Sequence, residues 1–171
     1  MRNELPWSPE AEGGVLSALL LDNSAISHVG HLDADAFHQP EHKQVWQAIR
    51  ALANAGKPFD PISVYVELEA QCSDLGLPYV NELAQYLPSL SSIRRYAEII
   101  EERQRMRQLM DVGSEIYQMA MTPGKLVTEQ LDKAQMMLAK LVTVKGKREP
   151  QFIHESLKEY LDLLQDLSEG K

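Results

Sequence analysis

Four histidines have the clearest potential for metal chemistry in this sequence, namely His28, His31, His38 and His42. Imidazoles that lie four residues apart on one helix can bind the same ion. Pro40 falls between the last two, at or before a helix start, so His38 does not share a helical face with His42. No set of carboxylates completes a coordination shell around these imidazoles. The sequence therefore predicts no metal site.

A group of arginines between residues 94 and 107 suggests phosphate binding, because clustered guanidinium groups release counterions from nucleic acid. The group contains Arg94, Arg95, Arg103, Arg105 and Arg107. Glu98 lies four residues after Arg94, and Glu101 lies four before Arg105, a spacing that forms ion pairs on a helix surface. The formal net charge of −8 also repels phosphate backbones. We therefore expect a solvated, internally paired face that binds DNA only weakly or indirectly.

No motif in the sequence indicates catalysis. The nucleotide-binding pattern G-x-x-x-x-G-K-[ST] does not occur, and Gly170–Lys171 lacks both the preceding glycine and the hydroxyl residue of that loop. Carboxylates are abundant but form no recognisable acid–base pair. We expect this chain to have no catalytic or cofactor-binding residues and not to hydrolyse ATP by that route.

The cysteine content and the N-terminus indicate the cellular compartment of the protein. Cys72 is the single cysteine, which excludes an intramolecular disulfide and a thiolate zinc site. Residues Met1–Trp7 lack the basic start and apolar run of a signal peptide. No stretch approaches the ~18 continuous apolar residues of a membrane-spanning helix. We expect a cytoplasmic protein that makes no membrane contact.

The elements that carry these side chains are predicted to be helices, because apolar residues recur at spacings of three and four almost throughout. Ser8 and Asp60 each precede a proline, the pattern of a capping residue followed by the first helical residue. Gly56 is predicted to end a helix in the left-handed conformation. Residues 1–90 are thus a compact bundle of short helices, which begin near Pro9, Ala25, Pro40, Pro61 and Tyr79.

Two glycines lie inside the first predicted helix, at Gly13 and Gly14. Glycine in a helix interior costs about 1 kcal/mol relative to alanine. We expect another element to pack closely against the backbone at this point.

Residues 91–143 show a different pattern, which is one long amphipathic stretch, a Pro123–Gly124 turn and a second amphipathic helix. The long helix begins after Ser91 or Ser92. This arrangement predicts a helical hairpin. A hairpin that extends beyond the first bundle has too little partner surface within one chain, so we expect its apolar face to be buried by self-association.

Residues 144–171 begin with a charged linker, Lys145–Pro150, and continue as a predicted helix from Gln151. Its apolar residues recur at spacings of three and four, and a lone helix of this length is marginal in water. It therefore needs a docking partner. The predicted fold is all-α: a compact bundle of short helices, then a long helical hairpin, then a C-terminal linker helix.

Three segments carry a resemblance to a known family. PWSPEAEGGVLSALLLDN (6–23), DAFHQPEHKQVWQAIRALANAGKPFDPISV (35–64) and RRYAEIIEERQRMR (94–107) resemble successive parts of the N-terminal domain of DnaB-type replicative DNA helicases, together with its linker helix. The three segments occur in the same order as in that family. The similarity extends over nearly the whole chain.

The resemblance implies a non-catalytic collar domain in DNA replication that forms dimers, or a trimer of dimers, and a hexameric ring in the full helicase. It also implies docking of primase or a helicase loader, and a packing or capping role for His42. ATP and magnesium would belong to a motor domain that this chain lacks. The residues expected to pair between hairpins are Met110, Ile116, Tyr117 and Met119. Those expected to dock the linker helix are Ile153, Leu157, Tyr160, Leu161 and Leu164.

Several alternatives remain open at this stage. The chain is either a piece of a longer helicase or a free-standing relative that acts as an adaptor or inhibitor of a host helicase. The methionines either form an adaptable binding surface or fill the seam of the hairpin. They are Met106, Met110, Met119, Met121, Met136 and Met137.

Overall fold

The computed structural model describes residues 5–86, 92–124 and 126–143. This part of the chain contains seven α-helices and no strands, which confirms the all-α fold class. The helices are α1 (Pro9–Leu21), α2 (Ile26–Val29), α3 (Pro40–Asn54), α4 (Pro61–Ala70), α5 (Leu77–Ala84), α6 (Ile93–Met121) and α7 (Val127–Thr143). The predicted linker helix and its residues Ile153, Leu157, Tyr160, Leu161 and Leu164 lie outside the described residues.

The contacts divide the chain into two compact units, Met1–Asp111 and Val112–Lys171. Helix α6 begins in the first unit and ends in the second. Its side chains Ile93, Ala97 and Ile100 are buried in the core of the first unit, because they recur at spacings of four and three on one face. The start of α6 therefore packs with the short helices. None of the described helices is both long and apolar enough to span a membrane.

Helix α1 is the central element of the first unit. Every residue from Ala11 to Leu20 is buried, so the helix has neighbours on all sides rather than one apolar face. Helices α3 and α5 pack against it. A Cβ atom at Gly13 would lie 3.4 Å from the ring of Tyr86 and 3.8 Å from Leu83. The close approach predicted from the glycine pair is therefore confirmed at Gly13.

Helix α3 has the amphipathic pattern expected of a helix on the edge of the core. The apolar residues on one side of the helix are all buried, namely Val45, Trp46, Ile49 and Leu52. The ring of Phe37, which precedes the helix, lies 5.2 Å from the ring of Trp46, a separation typical of aromatic pairs. The helical spacing of these residues therefore accounts for the core-facing side of α3.

One helix boundary differs from the predicted one, and one apolar residue of α4 is exposed. Helix α5 begins at Leu77, before the predicted start at Tyr79, because Pro78 fits the first turn of a helix, where no N–H donor is needed. In α4, Val64 and Leu68 are buried, but Ile62 is 67% exposed. Ile62 is next to the proline that starts the helix and faces away from the core.

The C-terminus of α4 provides a stability test, because Cys72 there has a φ of +57°. The Ser73 N–H donates to the Leu68 carbonyl (3.0 Å), and the Cys72 N–H donates to that of Glu69 (3.0 Å). A glycine is the usual residue at this position of such a motif. We expect Cys72→Gly to raise the free energy of unfolding by about 1 kcal/mol. Gly56 ends α3 with a φ of +66°. Gly56→Ala is therefore the reverse substitution and should lower the free energy of unfolding. In urea unfolding, a loss on Cys72→Gly together with a gain on Gly56→Ala would contradict this account.

The N-cap of α4 provides a pH test. Asp60 accepts from the Ser63 hydroxyl (2.7 Å) and from the N–H groups of Ser63 (3.2 Å) and Ile62 (2.9 Å). These bonds, the Ser63 hydroxyl first, hold the pKa of the Asp60 carboxyl below its usual value. A lowered pKa stabilises the fold above the unfolded value of about 3.9, and this stabilisation is lost as pH falls through the folded pKa. We expect Asp60→Ala to lower the free energy of unfolding by about 1 kcal/mol at pH 7. The difference from wild type should shrink below pH ~4, and an undiminished difference at pH 3.5 would argue against this role of the carboxylate.

Candidate functional site

The second unit contains a seam between the end of α6 and α7. Its half-buried residues recur at spacings of four and three, so they lie along one line on each helix. On α6 they are Val112, Ile116 and Met119, and on α7 they are Gln130, Ala134, Met137 and Leu141. The Gln130 side-chain amide donates to the Met119 carbonyl (3.0 Å) across the seam. The hairpin predicted from the Pro123–Gly124 turn is present, and Gly124 has a φ of +88°.

One side of this hairpin is largely apolar. Each residue that follows a seam residue is rotated by about 100° around its helix. Because α6 and α7 run in opposite directions, these residues lie on the same side of the hairpin. We call them the apolar side: Gly113, Tyr117, Ala120, Leu131, Gln135, Leu138 and Val142. Tyr117 is 61% exposed, Leu131 57% and Val142 74%.

The other side of the hairpin is polar. The residues that precede the seam residues are rotated by about 100° in the opposite sense. Within the second unit these are Glu115, Gln118, Glu129, Lys133, Met136 and Lys140. Lys133 Nζ lies 4.0 Å from Glu115 Oε1. An exposed pair at this distance contributes little to stability, but its charged groups show that this side is suited to contact with solvent.

The four residues expected to pair between hairpins lie in three places. Ile116 and Met119 are half-buried in the seam of their own hairpin, and Tyr117 is exposed on the apolar side. Met110 is 46% exposed and belongs to the first unit. Their role in pairing stays a prediction. The sequence analysis did not select Leu138 or the other exposed α7 residues that lie on the apolar side. They could have been found from the sequence, because each follows a residue of the seam.

The methionines divide between the two alternatives that the sequence left open. Met119 and Met137 fill the seam, as flexible unbranched side chains often do. The exposed ones are Met106, Met110, Met121 and Met136.

In the first unit, a buried carboxylate connects α1 to the start of α3. Glu12 is 1% exposed. Its Oε1 atom accepts from the His38 N–H (2.7 Å), and its Oε2 atom accepts from the Gln39 N–H (3.3 Å) and from His42 Nδ1 (2.8 Å). Because a carboxylate only accepts, His42 Nδ1 carries the hydrogen. His42 thus has a buried packing and hydrogen-bonding role, as the resemblance implied.

Arg107 on α6 makes a second set of polar contacts in the first unit. Its guanidinium donates to the carbonyls of Pro6 (2.9 Å) and Ala36 (2.6 Å), and more weakly to that of Asp35 (3.4 Å). Partial burial lowers the pKa of this guanidinium, against the opposing effect of Glu12 and Asp111. The contacts attach α6 to the segment before α1 and to the turn before α3. Sequence reasoning had placed Arg107 on a solvated face, and the carbonyl partners correct that expectation.

The four histidines do not converge on one point. Each has a different partner: Arg94 for His28, Glu101 for His31, the Trp7 ring for His38 and Glu12 for His42. Among the residues that the structure describes, no group of three or more histidine, cysteine or acidic side chains is arranged to hold a metal ion.

The arginine pairs agree with the sequence in part. Arg105 lies 3.5 Å from Glu101, as predicted from their spacing. Glu98 pairs with Arg95 (2.9 Å) instead of Arg94, whose Nε donates to His28 Nδ1 (3.3 Å). Both i,i+3 and i,i+4 neighbours reach a carboxylate on a helix. Arg94 faces α2, where it bonds His28, and Glu98 therefore pairs with Arg95.

Comparison with known proteins now identifies the family. The profile described as DnaB-like helicase N terminal domain matches residues 4–102, more than half of the chain. The chain belongs to this family. The resemblance found in the three sequence segments is therefore confirmed.

Solved structures support the same conclusion for this DnaB-like domain. The crystal structure of the N-terminal domain of DnaB helicase from Mycobacterium tuberculosis matches with a TM-score of 0.74 and 30% identity, covering 80% of this chain and 99% of that one. The structure of a DnaB-like replicative helicase, described with its interactions with primase, matches with a TM-score of 0.68 over 91% of this chain and 35% of that one. At 17% identity the second match shows the fold alone.

Curated relatives of the DnaB-like domain are longer than this chain. Replicative DNA helicase DnaB of Geobacillus stearothermophilus is 32% identical over 75% of this chain and 29% of its own length. Replicative DNA helicase DnaC of Bacillus subtilis (strain 168) is 28% identical over 97% of this chain and 37% of its own length. The chain therefore spans about a third of the length of these relatives.

The buried carboxylate gives a stability test for the DnaB-like domain. We expect Glu12→Ala to lower the free energy of unfolding by about 3–5 kcal/mol, because it leaves buried donors unpaired. Glu12→Gln should cost less, since the amide keeps one acceptor oxygen. Glu10→Gln changes an exposed carboxylate on the same helix and is the matched control. Urea unfolding followed by circular dichroism measures all three, and equal losses for Glu12→Gln and Glu10→Gln would show that Glu12 has no special structural role.

Proposed function

We propose that this chain is the collar domain through which a replicative DNA helicase assembles, and that assembly buries the apolar side of the hairpin against a second copy. The observation that carries the proposal is the exposure of Tyr117, Leu131 and Leu138 on one side of the hairpin, with charged residues on the other. Contiguous apolar surface of this kind marks an interaction site in water-soluble proteins. Membership of the DnaB-like family supports a role in replication.

A second copy is the occupant that the chemistry of the two sides favours. Identical apolar sides can pair about a two-fold axis, which brings each side against its own equivalent. The polar sides then stay in solvent and oppose the wrong pairing. Pairing of this kind gives dimers, from which a trimer of dimers and a hexameric ring can be built in the full helicase.

Unwinding and ATP hydrolysis, with its magnesium, belong in this proposal to a motor domain outside the part of the relatives that this chain spans. Primase or a helicase loader is proposed as a further partner of the collar. The fold match to a DnaB-like helicase described with its interactions with primase supports the primase proposal. In the same scheme, the segment with Ile153, Leu157, Tyr160, Leu161 and Leu164 docks on a neighbouring motor domain.

Mass-resolved chromatography over a concentration series tests the assembly. We expect wild type to form dimers or larger species, and Tyr117→Glu/Leu138→Glu to weaken association by at least ~100-fold. The reason is that a two-fold interface contains each new charge twice, and desolvating an unpaired charge is costly. Both positions are exposed, so helical content should not change.

The control places the same two charges on the polar side, as Gln118→Glu/Met136→Glu. Both of these positions are exposed. This variant should assemble like wild type. A wild-type chain that stays monomeric at every concentration would contradict the proposal, and equal weakening by both double variants would show that the apolar side is not the interface.

A further inference from the structure

A cleft of about 250 Å³ opens in the first unit between α1, the start of α3 and α5. Tyr79, Leu83 and Tyr86 are among the residues that line it. Tyr86 is 47% exposed, and its ring lies against α1 at Gly13. The cleft is therefore a largely apolar groove with two aromatic side chains at its surface.

The position of α5 is fixed against α1. The Ser17 hydroxyl, buried on α1, donates to the Ala84 carbonyl at the end of α5 (3.2 Å). Val80 and Leu83 of α5 are buried. Tyr79 is thus carried by a helix that is anchored through both its side chains and its backbone, and Tyr86, two residues after the end of that helix, lies against α1 at Gly13. Both observations favour a preformed groove over one that must be ordered on binding.

The electrostatic environment of this groove is negative. Desolvation raises the pKa of the Tyr79 phenol to about 12, with further contributions from the carboxylates of Glu41, Glu82 and Glu12. Glu82 lines the groove and is exposed. No lysine or arginine is among the described residues that line it. His42 also lines the groove, and its Nδ1 atom donates to Glu12.

We propose that this groove binds an arginine side chain from an extended segment of a partner protein. The aliphatic stem would pack between Tyr79 and Tyr86, and the guanidinium would meet the Glu82 carboxylate. A planar guanidinium stacks on aromatic rings and matches the two oxygens of a carboxylate, whereas a lysine ammonium does neither as well. The proposal goes beyond the assembly function and does not depend on it, because no residue of the hairpin takes part.

The test uses the full chain and a defined peptide, acetyl-Gly-Leu-Arg-Leu-Gly-amide. The matched probe replaces arginine with citrulline, which has nearly the same shape and no charge. Backbone amide shifts of Gly13, Val80 and Leu83 report binding in a nitrogen-15 titration by NMR. We expect saturable shifts with a Kd in the millimolar range or tighter, and binding of the citrulline peptide weaker by about three-fold or more.

Two carboxylate variants separate a specific contact from general attraction. Glu82→Gln should weaken binding of the arginine peptide by about three-fold or more, whereas Glu129→Gln removes the same charge from an exposed residue of α7 and should leave binding unchanged. Three results would overturn the proposal. They are the absence of saturable shifts up to about 10 mM peptide, equal binding of the citrulline peptide, and equal weakening by the two variants. A failure of hairpin assembly would affect none of these measurements.

Discussion

The buried Glu12 carboxylate is the contact on which the first unit depends. Removing a carboxylate from water is costly, and the cost is offset only if its oxygens find donors inside the protein. Here the donors are the His38 and Gln39 N–H groups and the His42 ring, all at the start of α3. The carboxylate therefore satisfies backbone groups that a helix start leaves unpaired, and it fixes the central helix α1 against α3. Since α1 is buried on all sides, this contact connects α3 to the central helix of the unit.

The hairpin depends on a different constraint, which is the spacing of side chains around each helix. Residues at intervals of three and four fill the seam. The residue after each seam residue lies on the apolar side, and the residue before it lies on the polar side. Ile116 and Tyr117 are neighbours in sequence, yet one stabilises the hairpin and the other faces solvent. A surface for a partner and a surface for internal packing can thus be encoded in the same short stretch.

The described part of this DnaB-like domain has two exposed surfaces of different chemistry, one in each unit. Its buried polar groups are used for structure, as the bonds of Glu12, His42 and Ser17 show. Its distinctive exposed features are the apolar side of the hairpin and the aromatic groove beside α5. These two surfaces lie in different units, so the two proposed partners, a second copy and an arginine-bearing segment, would bind at separate places.

The sequence alone determined the described helices and most of their ends, because caps, prolines and glycines act within a few residues, as at Ser8, Asp60 and Gly56. It also determined the family, through three ordered segments. It did not determine that Glu12 would bond the start of α3, or that Arg107 would bond backbone carbonyls instead of facing solvent. The partners of Glu12 lie 26 to 30 residues away along the chain, and those of Arg107 lie 71 to 101 residues away. Only the packing of the helices brings them within reach. Local rules act along the chain, whereas the partner of a buried charge is decided by which elements meet in the folded core.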